Sequence, residues 1–241
     1  MIEVTDLCKR FGGKTAVDKL TFTVTPGEVL GFLGPNGAGK STTMRMITGF
    51  IPPSSGEAKI CGYSVTAQAE EAKAKIGYLP ESAPLYDDMT VSSFLRWAGQ
   101  MRGLKGSELK EAIDKVIEKT FLQSVAKQSI STLSKGFRHR TCLAQSLIHD
   151  PAVLVLDEPT DGLDPNQKRE VRKLIKNLSR EKTVLFSTHI LEEVDAVCTR
   201  ALIVDQGKII ADGPPNELPR NHGTDNLQEL FGRLTTSETK E

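Results

Sequence analysis

A glycine-rich stretch, GPNGAGKS at residues 34–41, constrains the fold of this chain more than any other feature. The apolar residues 28–34, EVLGFLG, predict a strand before it, and residues 41–50 predict a helix after it. Glycines let successive backbone N–H groups turn inward around a phosphate, and the first turn of the helix adds positive partial charge. Strand, loop and helix in this order predict a phosphate-binding loop in an α/β protein.

The loop matches the full pattern G-x-x-x-x-G-K-[ST], which assigns roles to individual residues. Lys40 is expected to reach the β- and γ-phosphates of a nucleotide, Ser41 to ligate Mg²⁺, and Thr42 to support the α-phosphate. The alternative is a glycine-rich turn with an exposed lysine, which the flanking strand and helix disfavour. The predicted nucleotide-binding residues of the loop are Gly34, Pro35, Asn36, Gly37, Ala38, Gly39, Lys40, Ser41 and Thr42.

A second apolar strand, within AVLVLDEP at residues 152–159, ends in two acids. Asp157 is predicted to hold Mg²⁺, largely through its water shell, and Glu158 is the candidate general base for an attacking water. A solvated loop is the common alternative for Asp-Glu-Pro after a strand, and the presence of a phosphate loop favours the catalytic interpretation. His189 ends the following strand, where a neutral imidazole could donate to a γ-phosphate, although a lone histidine there is more often structural.

The order of patterns along the chain predicts an α/β fold with a largely parallel sheet. Residues 1–33 alternate apolar and polar side chains between turn signals and predict a run of strands. Helical patterns dominate the middle of the chain and predict a helical subdomain inserted at about residues 85–147. Within the tail, residues 227–235 are amphipathic and are expected to form a short terminal helix, and the last residues, TTSETKE, are expected to be disordered.

Charge and cysteine content exclude some classes of protein. The 31 basic and 31 acidic residues cancel, so the chain lacks the basic excess that is usual in nucleic-acid-binding domains. The four cysteines are too scattered for a metal-binding pair and are expected to be reduced thiols, as suits a cytosolic protein. The start lacks the apolar segment of a signal peptide, and no run reaches the roughly 18 apolar residues of a membrane span. The chain itself is therefore not expected to cross a membrane.

Six motifs together resemble the nucleotide-binding domain of the ATP-binding cassette (ABC) family, and they occur in the order found there. They are GPNGAGKST at 34–42, GYLPE at 77–81, LSKGF at 133–137, LVLDEP at 154–159, DGLD at 161–164 and STH at 187–189. The resemblance covers about residues 1–215 and leaves residues 216–241 as a C-terminal extension. It implies a P-loop NTPase core with a parallel sheet, an N-terminal antiparallel β part and the inserted helical subdomain.

The stretch LSKGF resembles the signature motif of that family. In such domains two copies pack head to tail, and the signature of one copy caps the ATP held by the other. The resemblance therefore implies a site for the partner's ATP formed by Leu133, Ser134, Lys135 and Gly136. The stretch also reads as a helix N-terminus, whose free N–H groups favour an anion. Lys135, Arg138 and Arg140 would add positive potential there. For the two arginines, a solvated basic helix face is favoured over a role in the site.

Other roles follow from position in the family's motifs. Phe11 resembles the aromatic residue that stacks on adenine, and the equally favoured alternative is a core residue at a strand end. Asp164 resembles the acid that links the two sites across the dimer, and His189 resembles the γ-phosphate histidine. Glu81 stands where glutamine is usual; a carboxylate there could meet Mg²⁺ or the water but cannot donate a hydrogen bond unless protonated. Glutamate at this place recurs in exporter-type members with a separate permease.

The resemblance implies an ATP-binding and ATP-hydrolysing subunit that uses ATP and Mg²⁺. Its expected partners are a second ABC ATPase subunit, identical or different, and an integral membrane permease that selects the cargo. Its expected place is the cytoplasm, peripheral on the cytoplasmic face of the membrane, with export as the favoured direction. No nucleic-acid partner is expected.

Two other functions are weaker alternatives. A soluble cassette ATPase would act on ribosomes, DNA or protein assemblies, but such proteins usually carry two cassettes or a long coiled coil. A nucleotide-sensing scaffold without turnover would need a broken catalytic carboxylate, whereas Glu158 is intact.

Overall fold

Two β-sheets organise the chain in the computed structural model, which describes residues 1–82 and 84–235. The strands in chain order are β1 (Ile2–Phe11), β2 (Lys14–Val24), β3 (Val29–Leu33), β4 (Ser55–Ile60), β5 (Tyr63–Ser64), β6 (Ile76–Leu79), β7 (Val153–Asp157), β8 (Thr183–Thr188), β9 (Arg200–Asp205) and β10 (Lys208–Gly213). The first sheet has the order β2–β1–β4–β5 and is antiparallel. The second has the order β10–β9–β3–β8–β7–β6.

Helices cover the sheets and fill the middle of the chain. They are α1 (Lys40–Ile47), α2 (Ala69–Ala74), α3 (Val91–Met101), α4 (Gly106–Lys119), α5 (Lys135–Leu147), α6 (Pro165–Ser179), α7 (Leu191–Val197), α8 (Leu218–Asn221) and α9 (Leu227–Thr235). The predicted fold class is confirmed: an α/β core carries an N-terminal antiparallel sheet and an inserted group of helices, α3 to α5. None of these described helices combines the length and apolar character needed to span a bilayer.

The second sheet is parallel except for β10, and its direction places the chemistry at one edge. Every residue of β3, β7 and β8 is buried, because both faces of a parallel sheet are covered. Leu33 at the end of β3 pairs with Thr188, and Asp157 at the end of β7 pairs with Ser187. The phosphate loop, the acid pair and His189 thus leave neighbouring strands at the same carboxyl edge, where ligands of open α/β sheets bind.

The helices α3 to α5 share an apolar core with one face of the parallel sheet. Phe94 of α3, Ile113 of α4 and Leu143 of α5 belong to the same buried cluster as Leu156 and Phe186 of the sheet. The Thr90 side chain caps α3 by accepting a hydrogen bond from the Ser93 N–H. The amphipathic spacing of the sequence explains this packing, because each helix buries one apolar stripe.

The tail packs over β3 and β9, on the same face of the parallel sheet as the inserted helices. Leu218, Leu227 and Leu230 lie in one buried cluster with Leu33 and Ile203. Helix α9 covers the residues 227–235 that the sequence predicts as a short helix. The predicted disorder of the last residues falls on 236–241, outside the residues that the structure describes, apart from the helical Thr235.

His149, just after α5, links stability to pH. Its Nε2 lies 3.0 Å from the Ile76 carbonyl oxygen, and burial, with Arg102 nearby, lowers its pKa to about 4 from the ordinary 6.5. Between these values the unfolded chain takes up a proton that the folded chain does not, so stability is lost as the pH falls from 6.5 towards 4. The slope from this residue is at most about 1.4 kcal/mol per pH unit.

We expect His149→Gln to flatten the pH dependence of the free energy of unfolding in that window. Glutamine can still donate to the Ile76 carbonyl but does not titrate. Urea denaturation at pH 7, 6 and 5 would measure the slope for both proteins. Equal slopes would show that His149 does not contribute to acid sensitivity.

Candidate functional site

A cleft of about 570 Å³ opens at the carboxyl edge of the parallel sheet. Most of its lining consists of residues that the sequence singles out, and Lys14, Ala16 and Asp161 are additions. The lining residues are Phe11, Lys14, Ala16, Asn36, Gly37, Gly39, Lys40, Ser41, Thr42, Glu81, Glu158, Asp161 and His189.

The phosphate loop is held between segments that are distant in sequence. A side chain at Gly34 would place its Cβ 2.3 Å from the Val204 carbonyl oxygen, and one at Gly39 would lie 2.5 Å from the Ala16 carbonyl oxygen. Gly39 also has a φ of +101°, a conformation that favours glycine. The Gly207 N–H donates to the Ala38 carbonyl oxygen at 3.0 Å. The pattern needs these glycines because the loop backbone touches other backbone on two sides.

Lys40 begins helix α1 with a buried side chain. Its Nζ donates to the carbonyl oxygens of Gly34 at 2.6 Å and Pro35 at 3.1 Å. Burial lowers the pKa of Lys40, and the negative charges of Glu158 and Asp157 oppose that shift. The ammonium group is therefore fixed beside the inward-turned loop, where a phosphate would meet it together with the N-terminus of α1.

Hydroxyl and carboxylate groups of the kind that Mg²⁺ prefers occur at this edge of the sheet. Ser41 and Glu81 line the cleft, and Asp157 lies buried at the end of β7, where it accepts a hydrogen bond from the Ser187 hydroxyl. Hydroxyl and carboxylate oxygens are the ligands that Mg²⁺ prefers, and this ion usually keeps waters and substrate phosphates as its other ligands. Within residues 1–82 and 84–235, no three acids, histidines or cysteines cluster as a metal-binding group.

Glu158 and His189 form a pair at the mouth of the cleft. His189 Nδ1 donates to Glu158 Oε1 at 3.0 Å, which leaves Nε2 for another partner. Burial raises the pKa of Glu158, and the hydrogen bond from His189 opposes the rise. Glu158 has a φ of +52°, a strained conformation for a side chain of this size and one that clusters at active sites. The two residues that the sequence places on separate strands therefore meet.

The exposure of Phe11 bears on its two alternatives, an aromatic residue in the cleft or a core residue at a strand end. Its ring is 52% exposed and lines the cleft. The alternative of a core residue at a strand end is therefore wrong. Lys9 Nζ lies 5.2 Å from the ring centroid, so a cation covers part of the same surface.

The signature residues lie away from the cleft lining, at the start of α5. The Ser134 hydroxyl caps this helix by accepting from the Phe137 N–H at 3.4 Å, which confirms the predicted helix N-terminus. An accepting hydroxyl still has its own hydrogen to donate. Lys135 Nζ lies 3.0 Å from Asp161 Oδ2, and Asp161 lines the cleft. An ion pair thus joins the start of α5 to the cleft lining.

The two arginines of α5 have other partners. Arg138 forms an ion pair with Asp87 at 2.7 Å. Arg140 is buried, and its guanidinium carbon lies 4.5 Å from the Phe137 ring centroid. The interpretation of a solvated basic face is therefore wrong for Arg140, because tertiary packing covers a residue that the sequence pattern leaves on the surface.

Asp164 caps helix α6. Its Oδ1 accepts from the backbone N–H groups of Asn166 at 2.9 Å and Gln167 at 3.0 Å. The cap anchors the far end of the loop that begins at Glu158. Sequence reasoning missed one further residue of this region, the buried Glu193, which has an ordinary position in a short helix and carries no local signal.

Comparisons with known proteins cover nearly the whole chain. The Nod factor export ATP-binding protein I of Paraburkholderia xenovorans (strain LB400) is 38% identical over 232 residues, which are 96% of this chain and 76% of the relative. The linearmycin resistance ATP-binding protein LnrL of Bacillus subtilis (strain 168) is 38% identical over 231 residues, 95% of this chain and 74% of the relative.

A solved structure of the ATP-binding subunit of an ABC transporter superposes with a TM-score of 0.89 at 28% identity, covering 97% of this chain and 99% of the other. The sequence model described as ABC transporter matches residues 17–161, from β2 to the loop after Glu158. The family expected from the motifs is thereby confirmed: the chain belongs to the ABC transporter family and is an ATP-binding subunit with ATPase activity.

Proposed function

We propose that this ATPase subunit works as one half of a dimer that closes around two ATP molecules and drives a separate export permease. The observation that supports the proposal is the presence of two separate helix N-termini, at α1 and α5, on one chain. Lys40 and the phosphate loop face the cleft, whereas Ser134 at the start of α5 lies off its lining. A head-to-tail pair, identical or different in sequence, would bring the second N-terminus of each chain to the nucleotide of the other.

Within each site the residues divide the work of hydrolysis. Lys40 and the loop N–H groups hold the β- and γ-phosphates, and the Phe11 ring stacks on adenine. Glu158 takes a proton from the attacking water, and His189 Nδ1 donates to the Glu158 carboxylate and keeps it in place. In the doubly protonated ring, His189 Nε2 would also donate to the γ-phosphate. Ser41, Asp157 and Glu81 would hold Mg²⁺, which neutralises phosphate charge.

The remaining site residues join the two halves. Leu133, Ser134, Lys135 and Gly136 would contact the partner's ATP. Asp164 would link the two ATP sites across the dimer. It caps the start of α6 and so anchors the end of the loop that begins at Glu158. Each ATP would then belong to both chains, so dimerisation depends on nucleotide.

A groove flanked by two exposed apolar side chains supports a membrane permease as the partner. Phe50 is 72% exposed and Met101 is 67% exposed, and both flank a groove of about 390 Å³ that also includes Ile76 and Tyr78. Exposed apolar surface of this kind marks protein interaction sites. The groove lies where the end of α1 meets the end of α3, so movement between the core and the helical subdomain would reach the permease. Relatives named for Nod factor export favour outward transport.

Purification of the tagged chain from detergent-solubilised membranes tests this partner. We expect a polytopic membrane protein in near-equal amount. We expect Phe50→Lys with Met101→Lys to lose it, because charged side chains would replace the two exposed apolar ones. ATP turnover of the purified double variant checks that it is folded. Phe121→Lys, at another exposed aromatic residue, is the matched control. Recovery with ribosomal or other soluble partners instead would favour the soluble cassette ATPase.

A further inference from the structure

A fully buried carboxylate lies behind the catalytic pair. Glu193 of α7 is 0% exposed, and the exposed residue next to it is Glu192. Charged side chains are almost never fully buried unless they are paired, because desolvation of an ion is costly. The mechanism of hydrolysis described above does not use this group.

Glu193 is held by four groups from three segments of the chain. Its Oε1 accepts from the Thr160 hydroxyl, and its Oε2 accepts from the Thr188 hydroxyl at 3.2 Å. Two cations of α6 face Oε1, Arg172 at 3.4 Å and Lys168 at 4.0 Å. The two hydroxyl groups and the two cations all donate hydrogen bonds to this site. An ionised carboxylate suits them because it only accepts hydrogen bonds.

The two threonines connect this carboxylate to the two members of the pair. Thr160 follows Glu158 in the loop after β7, and Thr188 directly precedes His189 at the end of β8. The Thr188 hydroxyl also accepts from the Ile190 N–H at 3.1 Å, which fixes the turn on the far side of His189. The two segments that carry the pair are therefore tied to one carboxylate, each through a different oxygen atom.

We propose that Glu193 is a positioning residue that sets the separation of Glu158 and His189 by tying the segments behind them to one buried anion. It is not among the residues that line the cleft. Because Glu158 has a φ of +52°, outside regular secondary structure, its position depends on contacts of the loop such as this tie. The inference rests on the proposed roles of Glu158 and His189.

Glu193→Gln tests the proposal with little change in shape. Glutamine has one accepting oxygen and one donating NH₂ group. One of the two accepting oxygens of Glu193 is therefore lost, and an N–H group faces a cation or a threonine hydroxyl in its place. A displacement of about 1 Å at reacting groups can cost about 100-fold in rate, so we expect kcat to fall by about 10- to 100-fold. The KM for ATP and the Kd of a fluorescent ATP analogue should stay within about twofold, because the phosphate loop is unchanged. Glu192→Gln should match the unaltered protein.

Substitutions of the threonines separate positioning from simple stabilisation. Thr160→Val and Thr188→Val keep the side-chain shape without the hydroxyl and should each lower kcat, whereas Thr160→Ser and Thr188→Ser should restore most of it. Adding Thr188→Val to Glu193→Gln should lower kcat less than it does alone, since the tie is already broken. These single variants also keep the test valid if Glu193→Gln does not fold.

Glu158→Gln, measured in parallel, separates this inference from the proposed function. One outcome is that Glu158→Gln stalls turnover while folded Glu193→Gln and both valine variants keep wild-type kcat. That result would overturn the positioning role of Glu193 and leave the role of Glu158 as the base intact. Wild-type turnover of Glu158→Gln would overturn the role of the base and the inference with it. A lower melting temperature without any change in kcat would assign Glu193 to fold stability only.

Discussion

Lys40→Ala is expected to abolish ATP binding at the concentrations that saturate the unaltered protein. The variant removes a buried ammonium group that the structure fixes beside the phosphate loop through the Gly34 and Pro35 carbonyl oxygens. Charge-assisted hydrogen bonds contribute about 1.5–3 kcal/mol each, so losing contacts to two phosphates should weaken binding by roughly 100-fold or more. Titration with a fluorescent ATP analogue and calorimetry would measure the change.

The control for this variant is another lysine. Lys59→Ala removes an exposed cation of β4 that pairs with Glu57 at 3.2 Å, away from the cleft lining, and should leave the Kd unchanged. Thermal denaturation should show that Lys40→Ala is folded. Binding at wild-type affinity by folded Lys40→Ala would refute the assignment of residues 34–41 as the phosphate loop.

Glu158→Gln is expected to bind ATP, to hydrolyse it at least about 100-fold more slowly, and to accumulate as a dimer. General bases contribute typically 10²- to 10⁴-fold, and glutamine keeps the shape of the side chain without its basic oxygen. The intact phosphate loop should still hold the nucleotide, so the closed state would persist because its exit by hydrolysis is blocked. Phosphate release and size-exclusion chromatography with and without ATP would measure the two effects.

A second substitution at the signature tests which surface closes the dimer. Ser134→Arg places a bulky side chain at the start of α5 and should prevent dimerisation of Glu158→Gln while ATP still binds to the cleft. A protein with Glu158→Gln alone that stays monomeric with ATP and keeps wild-type turnover would disprove the assigned base.

The features predictable from sequence are those whose chemistry is local. The phosphate loop carries its own glycine spacing between a strand and a helix, and Asp157 and Glu158 end a strand that is apolar throughout. Helix α9 is likewise visible, because one apolar stripe marks it. In each case the nearest neighbours in sequence are also the neighbours in space.

The features that escaped prediction depend on contacts between distant segments. Lys14 and Ala16 reach the cleft because β1 and β2 pair in a sheet that docks beside the phosphate loop. Arg140 is covered by packing that its helical pattern does not reveal, and Glu193 is paired with threonines on two other segments. The sequence allowed Phe11 to lie either in the core or in the cleft, and only its exposure in the folded chain distinguished the two locations.

The phosphate loop packs against a segment that is synthesised much later, so its shape depends on how much of the chain has been made. The loop emerges early, yet it rests on the Val204 carbonyl and on the Gly207 N–H of the late β9–β10 hairpin. A ribosome-bound chain that has passed residue 50 already carries the whole nucleotide motif without the surface that shapes it. ATP should therefore stabilise only chains that have reached the hairpin, by mass action on the folded state. Cellular nucleotide would in this way favour finished subunits over nascent or truncated ones.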